Sequence, residues 1–215
     1  MLNFFKEVFK KGELRRKVVF TLGILFVFRL GAGIVIPYID TSAITSAATS
    51  SGIFGIMNML GGGTLEKFSL FSLGVSPYNT SSIIIELLSM DVVPALTQWN
   101  KEGNTGKKKK DKVTRVLTLA LAIIQGGSLT YAFDKGYSIL ASSSIWTYVY
   151  VVIVMAAGSM FTMWLGDQIT IKGVGNGTSL LIFTGIVAIL PNSFISSFKS
   201  MVTFGIAYKT ATSLA

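Results

Sequence analysis

FSLFSLGVSPYNTSSIIIELLSM, residues 68–90, decides how this chain is to be read. The stretch is apolar and long enough to cross a bilayer, since about 20 helical residues span a ~30 Å hydrocarbon core. Yet Pro77 and the polar run Asn79, Thr80, Ser81 and Ser82 sit inside it. Hydrocarbon tolerates a broken or polar segment only where protein or a water-filled cavity satisfies the freed groups. Residues 68–90 therefore read as one wall of a pathway, not as a plain anchor.

The rest of the composition agrees. Of the 215 residues, 51% are hydrophobic and only 13% are charged, and the mean hydropathy is +0.62. A soluble domain carries about a quarter charged residues. There is no cysteine and no histidine. Disulfides, thiol nucleophiles, histidine bases and the usual zinc and haem ligand sets are thereby excluded, so neither an enzyme nor a cofactor is expected. The net charge of +9 is concentrated in blocks beside apolar segments, which favours a membrane over nucleic acid as its explanation.

Working outward, the apolar runs predict an all-α membrane protein with five spans. Residues 18–36 form the first, with Arg29 inside it, read as facing inward in a structural role in preference to snorkelling to an interface. Ahead of it, residues 1–17 carry six basic residues, and read as a basic amphipathic segment on the membrane surface or as a solvated tail. The first span is too long, and lacks a small-residue cleavage site, for an ordinary signal peptide. The connection 37–67 holds a short apolar island of Ile53, Phe54, Ile56, Met57, Met59 and Leu60, followed by three glycines. Eight residues cannot span a bilayer, so this island reads as a re-entrant plug on a glycine hinge, or as an interfacial helix.

Residues 68–90 are the second span, and 95–115 a polar loop containing Lys107, Lys108, Lys109 and Lys110. Residues 117–133 and 145–165 are the third and fourth. A glycine-rich turn, 166–177, leads to a short fifth span, 178–190, that Pro191 is expected to stop. The tail 192–215 reads as an amphipathic surface helix or an incomplete sixth span. Residues 18–191 thus form the body of the chain.

Orientation follows from the basic residues. Six precede the first span, seven lie between the second and third, and Lys172 lies between the fourth and fifth; the other side holds Lys67, Lys135, Lys199 and Lys209. The N-terminus is expected in the cytosol and the C-terminus outside the plasma (inner) membrane.

Six stretches in order carry a resemblance: FRLGAGIVIPYID at 28–40, MNMLGGGTLEKFSLFSLGVSPY at 57–78, IIIELLSMDVVP at 83–94, KEGNTGKKK at 101–109, TRVLTLALAIIQ at 114–125 and MWLGDQITIKGVGNGTSLLIFTGIVAILP at 163–191. Together they make the chain similar to the N-terminal half of the SecY family, the central subunit of the bacterial protein-conducting channel. The resemblance implies one half of an inverted-repeat channel, its second helix split into the plug and a gate helix. It implies pore-ring positions at Val75, Asn79 and Ile182, and a lateral gate at Ile83, Ile84, Glu86 and Leu87. It implies SecE and SecG as companion subunits, a ribosome or the SecA motor as driving partner, and a translocating polypeptide as cargo. The lysines at 107–110 are the expected cytosolic docking residues, for such a partner or for anionic lipid, or else serve only to set topology.

Three departures stand out. The chain stops where the family's second half begins, so a truncated, split or engineered half-channel is expected, paired with a separate second half or a second copy of itself. Asn79 replaces a bulky apolar residue, and Glu86 replaces a glutamine. A small-solute or ion transporter is the competing reading, resting on Arg29, Asn79 and Glu86 alone.

Overall fold

The computed structural model describes residues 12–40, 64, 65, 67–90, 92–140 and 144–213. The expected plug, 53–60, and residues 1–11 lie outside the described residues. Six helices follow in order: α1 (Gly12–Ala32), α2 (Ser76–Leu88), α3 (Pro94–Lys101), α4 (Asn104–Tyr137), α5 (Ile145–Lys172) and α6 (Gly177–Ser213). Among the described residues, two stretches are long and apolar enough to cross a membrane, Asn104–Gly136 and Ile145–Lys172, and Gly177–Pro191 is a shorter apolar helix.

The broken wall is broken by design of its backbone. Residues 67–75 run as turns, and only Ser76–Leu88 is helical. Pro77 does not interrupt that helix as the sequence reading supposed. It occupies the first turn, where a missing N–H costs nothing because no intrahelical acceptor exists there. Backbone groups of the turn segment are bonded within the protein, although the buried Ser69 Oγ has no partner among the described residues. Leu70 N–H donates to Ile34 O (2.8 Å), Ile36 N–H to Phe68 O (3.1 Å), and Ser159 Oγ to Gly74 O (3.2 Å). Helix α5 reaches this backbone because residue 158 is glycine; a β-carbon there would overlap the Leu70 carbonyl.

Four other boundaries differ from the sequence reading. Helix α1 begins at Gly12 and ends at Ala32, so basic residues 15–17 belong to it, and residues 33–40 are extended or turned. The 95–115 region is not a loop. It holds α3 and the first three turns of α4, because lysine is a good helix former and an apolar span behind it propagates the helix. Likewise α5 continues through GDQITIK to Lys172, leaving a turn only at 173–176, with Gly175 at φ +76°. Finally, α6 does not stop at Pro191 but runs on to Ser213. A proline inside an apolar helix forfeits one backbone bond, and neighbouring groups in a membrane bundle absorb that loss.

Two apolar clusters hold the bundle together. One joins Ile36, Phe68, Phe133, Ile139, Val151 and Met155 at one end, where Asp40 N–H also donates to Ile139 O (2.8 Å). The other joins Ile24, Phe28, Phe71, Val75, Leu165 and Leu181. Its Phe28 and Phe71 rings stack with centroids 5.6 Å apart, a pairing worth about 0.5–1.5 kcal/mol beyond area burial. At the opposite end from Asp40, Val174 N–H donates to Thr21 Oγ1 (3.1 Å), and Arg115 bonds Asp167 (2.9 Å). The described basic residues 15–17 and 107–115 thus gather at one end of the bundle. The outward faces carry large apolar side chains, among them Phe26 (64% exposed), Trp146 (76%) and Phe183 (62%), as lipid contact requires.

Candidate functional site

The three expected constriction residues come from two distant parts of the chain, and the fold brings them to one cavity. Val75 is the N-cap residue of α2 and is buried. Asn79 lies one turn on and is exposed. Ile182 sits in the second turn of α6, half-buried beside Leu181, which is packed into the Phe28 and Phe71 cluster. All three line a cavity of about 710 Å³, walled also by Phe28, Leu73 and Ile124. The lining is mainly apolar. Its polar contributions include the Asn79 amide, which has no hydrogen-bond partner among the described residues, along with Gln125 and Ser128. Neighbouring Ser81 is different: it is fully buried and turns its hydroxyl back to Pro77 O (2.7 Å), so it adds no polarity to the cavity.

The four expected gate positions do not share a face. Ile83 (51% exposed) and Leu87 (57%) continue the exposed stripe begun by Asn79 at four-residue spacing. Ile84 is half-buried. Glu86 borders a second, polar cavity of about 640 Å³ among α2, α3, α4 and α5, opposite Lys107 and Asp111. Apolar residues thus face outward from α2 while its carboxylate faces the basic end of the bundle.

That basic end is organised by specific bonds. Arg115 pairs with Asp167 across α4 and α5. Since Arg115 is half exposed, the pair contributes at most about 1 kcal/mol. The four lysines of the run also separate. Lys109 bonds Glu102 (2.8 Å) and lies over the Trp99 ring, and Lys110 bonds Asn100 and Ser89. Lys107 and Lys108 are exposed and have no ion-pair partner among the described residues. The sequence showed four equivalent charges; only tertiary contacts distinguish them. Among the described residues no group of acidic side chains is arranged to hold a metal ion.

Comparison with known proteins gives the family. A family model described as SecY matches residues 69–214. Protein translocase subunit SecY 1 of Lactobacillus kefiranofaciens subsp. kefiranofaciens is 44% identical over 201 residues, covering 93% of this chain and 46% of that protein. Protein translocase subunit SecY of Bacillus subtilis (strain 168) is 42% identical over 195 residues, covering 90% and 45%. This chain therefore spans about half the length of the curated relatives it matches. Among solved structures, "Sec61 in the Canine ribosome-channel complex from the endoplasmic reticulum" and "The structure of a protein conducting channel" share the fold. Each has a TM-score of 0.56 and 18% identity, covering 80% of this chain and 36% of the other.

Proposed function

The chain belongs to the SecY family, and from that premise we propose that it is the N-terminal half of a pore subunit that guides polypeptides across, and into, the plasma membrane. The observation that carries this reading is the convergence of Val75, Asn79 and Ile182 on one apolar cavity. An apolar constriction blocks ions by dewetting yet yields to a polypeptide whose side chains displace the void. No bond chemistry is needed, so the mechanism is guidance, with energy supplied by a partner.

In this reading α1, residues 68–88, α4, α5 and the first half of α6 are the five spans, N-terminus in the cytosol and C-terminus outside. Residues 53–60 are the plug. Two features support it: Asp40 and Thr64, which flank the segment, lie at the same end of the bundle, and Leu65 lines the apolar cavity. Ile83, Ile84 and Leu87 form one side of a lateral exit, with Glu86 modifying its cytosolic edge. The exposed Asn79 and Thr80 require a facing surface, because an unpaired polar group against lipid costs about 1–3 kcal/mol. The second half of a SecY-type channel, or a second copy of this chain, meets that need. SecE and SecG are the proposed companion subunits.

The test is proximity to cargo. The chain, joined in membranes by a second half, receives single cysteines at Val75, Asn79, Ile182 or Trp164, the last half exposed on the outside of the bundle. A polypeptide arrested in transit should crosslink to the first three and not to Trp164. Equal crosslinking at all four, or none, removes the pore assignment.

Docking of a ribosome or SecA is proposed at the lysine run, chiefly through the unengaged Lys107 and Lys108. Replacing those two by alanine should weaken partner binding about tenfold in low salt and little in high salt, since exposed charges are screened within ~10 Å at 0.1 M. Unchanged binding in low salt would mean that the run serves topology only.

A further inference from the structure

The last helical turn of α2 has a chemical problem that the neighbouring helices solve. Carbonyl groups at a helix C-terminus lack intrahelical partners and carry the negative end of the macrodipole. Helix α2 ends at Leu88 with Ser89 as its C-cap, still in right-handed helical conformation and without a glycine cap. Ser89 is buried, 3% exposed, so water does not answer its groups freely. Its carbonyl instead accepts from Asn100 Nδ2 (3.1 Å) and Thr97 Oγ1 (3.4 Å) on α3. Its hydroxyl donates to Glu86 O (2.7 Å) and accepts from Lys110 Nζ (3.2 Å) on α4. Lys110 Nζ also donates to Asn100 Oδ1 (2.8 Å), fixing the amide that caps Ser89. One ammonium thus ties three helices at the point where α2 ends, and it brings positive charge to that helix's negative end.

We propose that Lys110 is a positioning residue, a latch that holds the C-terminal end of α2 against α3 and α4. The other end of α2 follows directly on the turn segment that Ser159 and Ile34 bind. With both ends tied, a helix of 13 residues keeps one tilt. With the latch broken, it pivots about its N-terminal end. Lys109 reinforces the arrangement by holding α3 through Glu102 and Trp99, whereas Lys108, next in sequence, touches none of these groups. The run of lysines therefore mixes two tasks that composition cannot separate. The latch rests on the channel reading only for what α2 does once placed; its geometry stands apart from transport.

The experiment uses the absence of cysteine from the sequence. Spin labels at Leu87→Cys and Val116→Cys, both exposed in the parent chain, report the position of α2 relative to α4 in lipid nanodiscs. A second pair, Val116→Cys and Ile171→Cys, reports the α4 and α5 ends as a control for the fold. The parent should give one narrow distance for each pair. Lys110→Met should lose the narrow α2–α4 distance and keep the control distance; Lys110→Arg should restore it; Lys108→Met should change neither. Ser89→Ala, which removes the acceptor and not the charge, should reproduce the loss if Lys110→Met proves unstable. An unchanged α2–α4 distance in Lys110→Met and Ser89→Ala overturns the latch. So does equal broadening in Lys108→Met or in the control pair. A chain that shows the latch and yet moves no polypeptide overturns the channel reading alone.

Discussion

A cysteine at Lys108 will react with an impermeant reagent only from the cytosolic side of the membrane, and one at Lys135 only from the outside. Both positions are exposed and both lie on α4. They are 27 residues apart in one uninterrupted helix, about 40 Å at 1.5 Å per residue. That exceeds the ~30 Å hydrocarbon core, so a spanning α4 must place them on opposite sides. The direction follows from charge. The N-terminal third of α4 carries Lys107, Lys108, Lys109, Lys110, Lys112 and Arg115, whereas its far end carries Lys135 alone. The fold adds an independent constraint: Thr21, Ser89, Asp167 and Val174 gather at the lysine-bearing end, while Ile36, Phe68 and Ile139 gather at the other. Helices joined in this alternating way share one orientation, so the α4 result fixes that of α1, α2 and α5. The expected difference is all or none. Labelling of both cysteines from one side would remove the spanning role of α4 and the five-span topology with it.

What the sequence revealed, and what it hid, divides along the range of the interactions. The apolar runs at 117–133 and 145–165 were legible because a helix that meets lipid on one face and protein on another must be apolar for about 20 residues. The special character of 68–90 was also legible, since Pro77 and four polar residues cannot lie in an anchor. The place of the break was not. Proline is costly in a helix interior and favoured in a first turn, and only the turn structure of 67–75 shows that Pro77 opens α2. The same ambiguity misplaced the end of α6 at Pro191. Glycines misled in a second way. GDQITIKGVGNG looked like a loop, yet Gly166 lies within α5 and Gly177 opens α6, where they allow close packing; a β-carbon on Gly177 would overlap the Gly166 carbonyl.

The candidate site was legible in part for a similar reason. Val75, Asn79 and Ile182 were named through a resemblance, and their meeting in one cavity depends on α6 packing against α5 and α1, which no local pattern encodes. The split among the lysines was invisible. Lys110 reaches Ser89 across 21 residues of sequence, and charge patterning treats it like Lys108. The position of Glu86 on a polar cavity, away from Ile83 and Leu87, likewise needed the helix end and its neighbours to be in place.

In a channel completed by a second half, with the plug intact, replacing Asn79 with isoleucine should lower the resting leak of small ions about tenfold, the ratio that ~1.4 kcal/mol produces. Water in a narrow apolar passage has lost most of its hydrogen bonds, and in the proposed channel a passage lined by Val75, Ile182 and Phe28 is expected to stay dry on that account. An amide side chain changes this locally, because it offers two donors and a carbonyl acceptor. Asn79 is placed to do so: it lines the cavity, it is exposed, and no described residue satisfies its amide. A water bridging it to the nearby Gln125 or Ser128 gains bonds of the kind worth about 1 kcal/mol each net. Isoleucine removes those bonds and adds apolar bulk. Glutamine at the same position keeps the polarity and so should keep the leak, which separates wetting from any change in the width of the passage. The measurement is ion flux into proteoliposomes for the three versions at equal protein density. Equal flux in the asparagine and isoleucine versions would mean that the amide does not face the conducting path, and the constriction would then rest on Val75 and Ile182 alone.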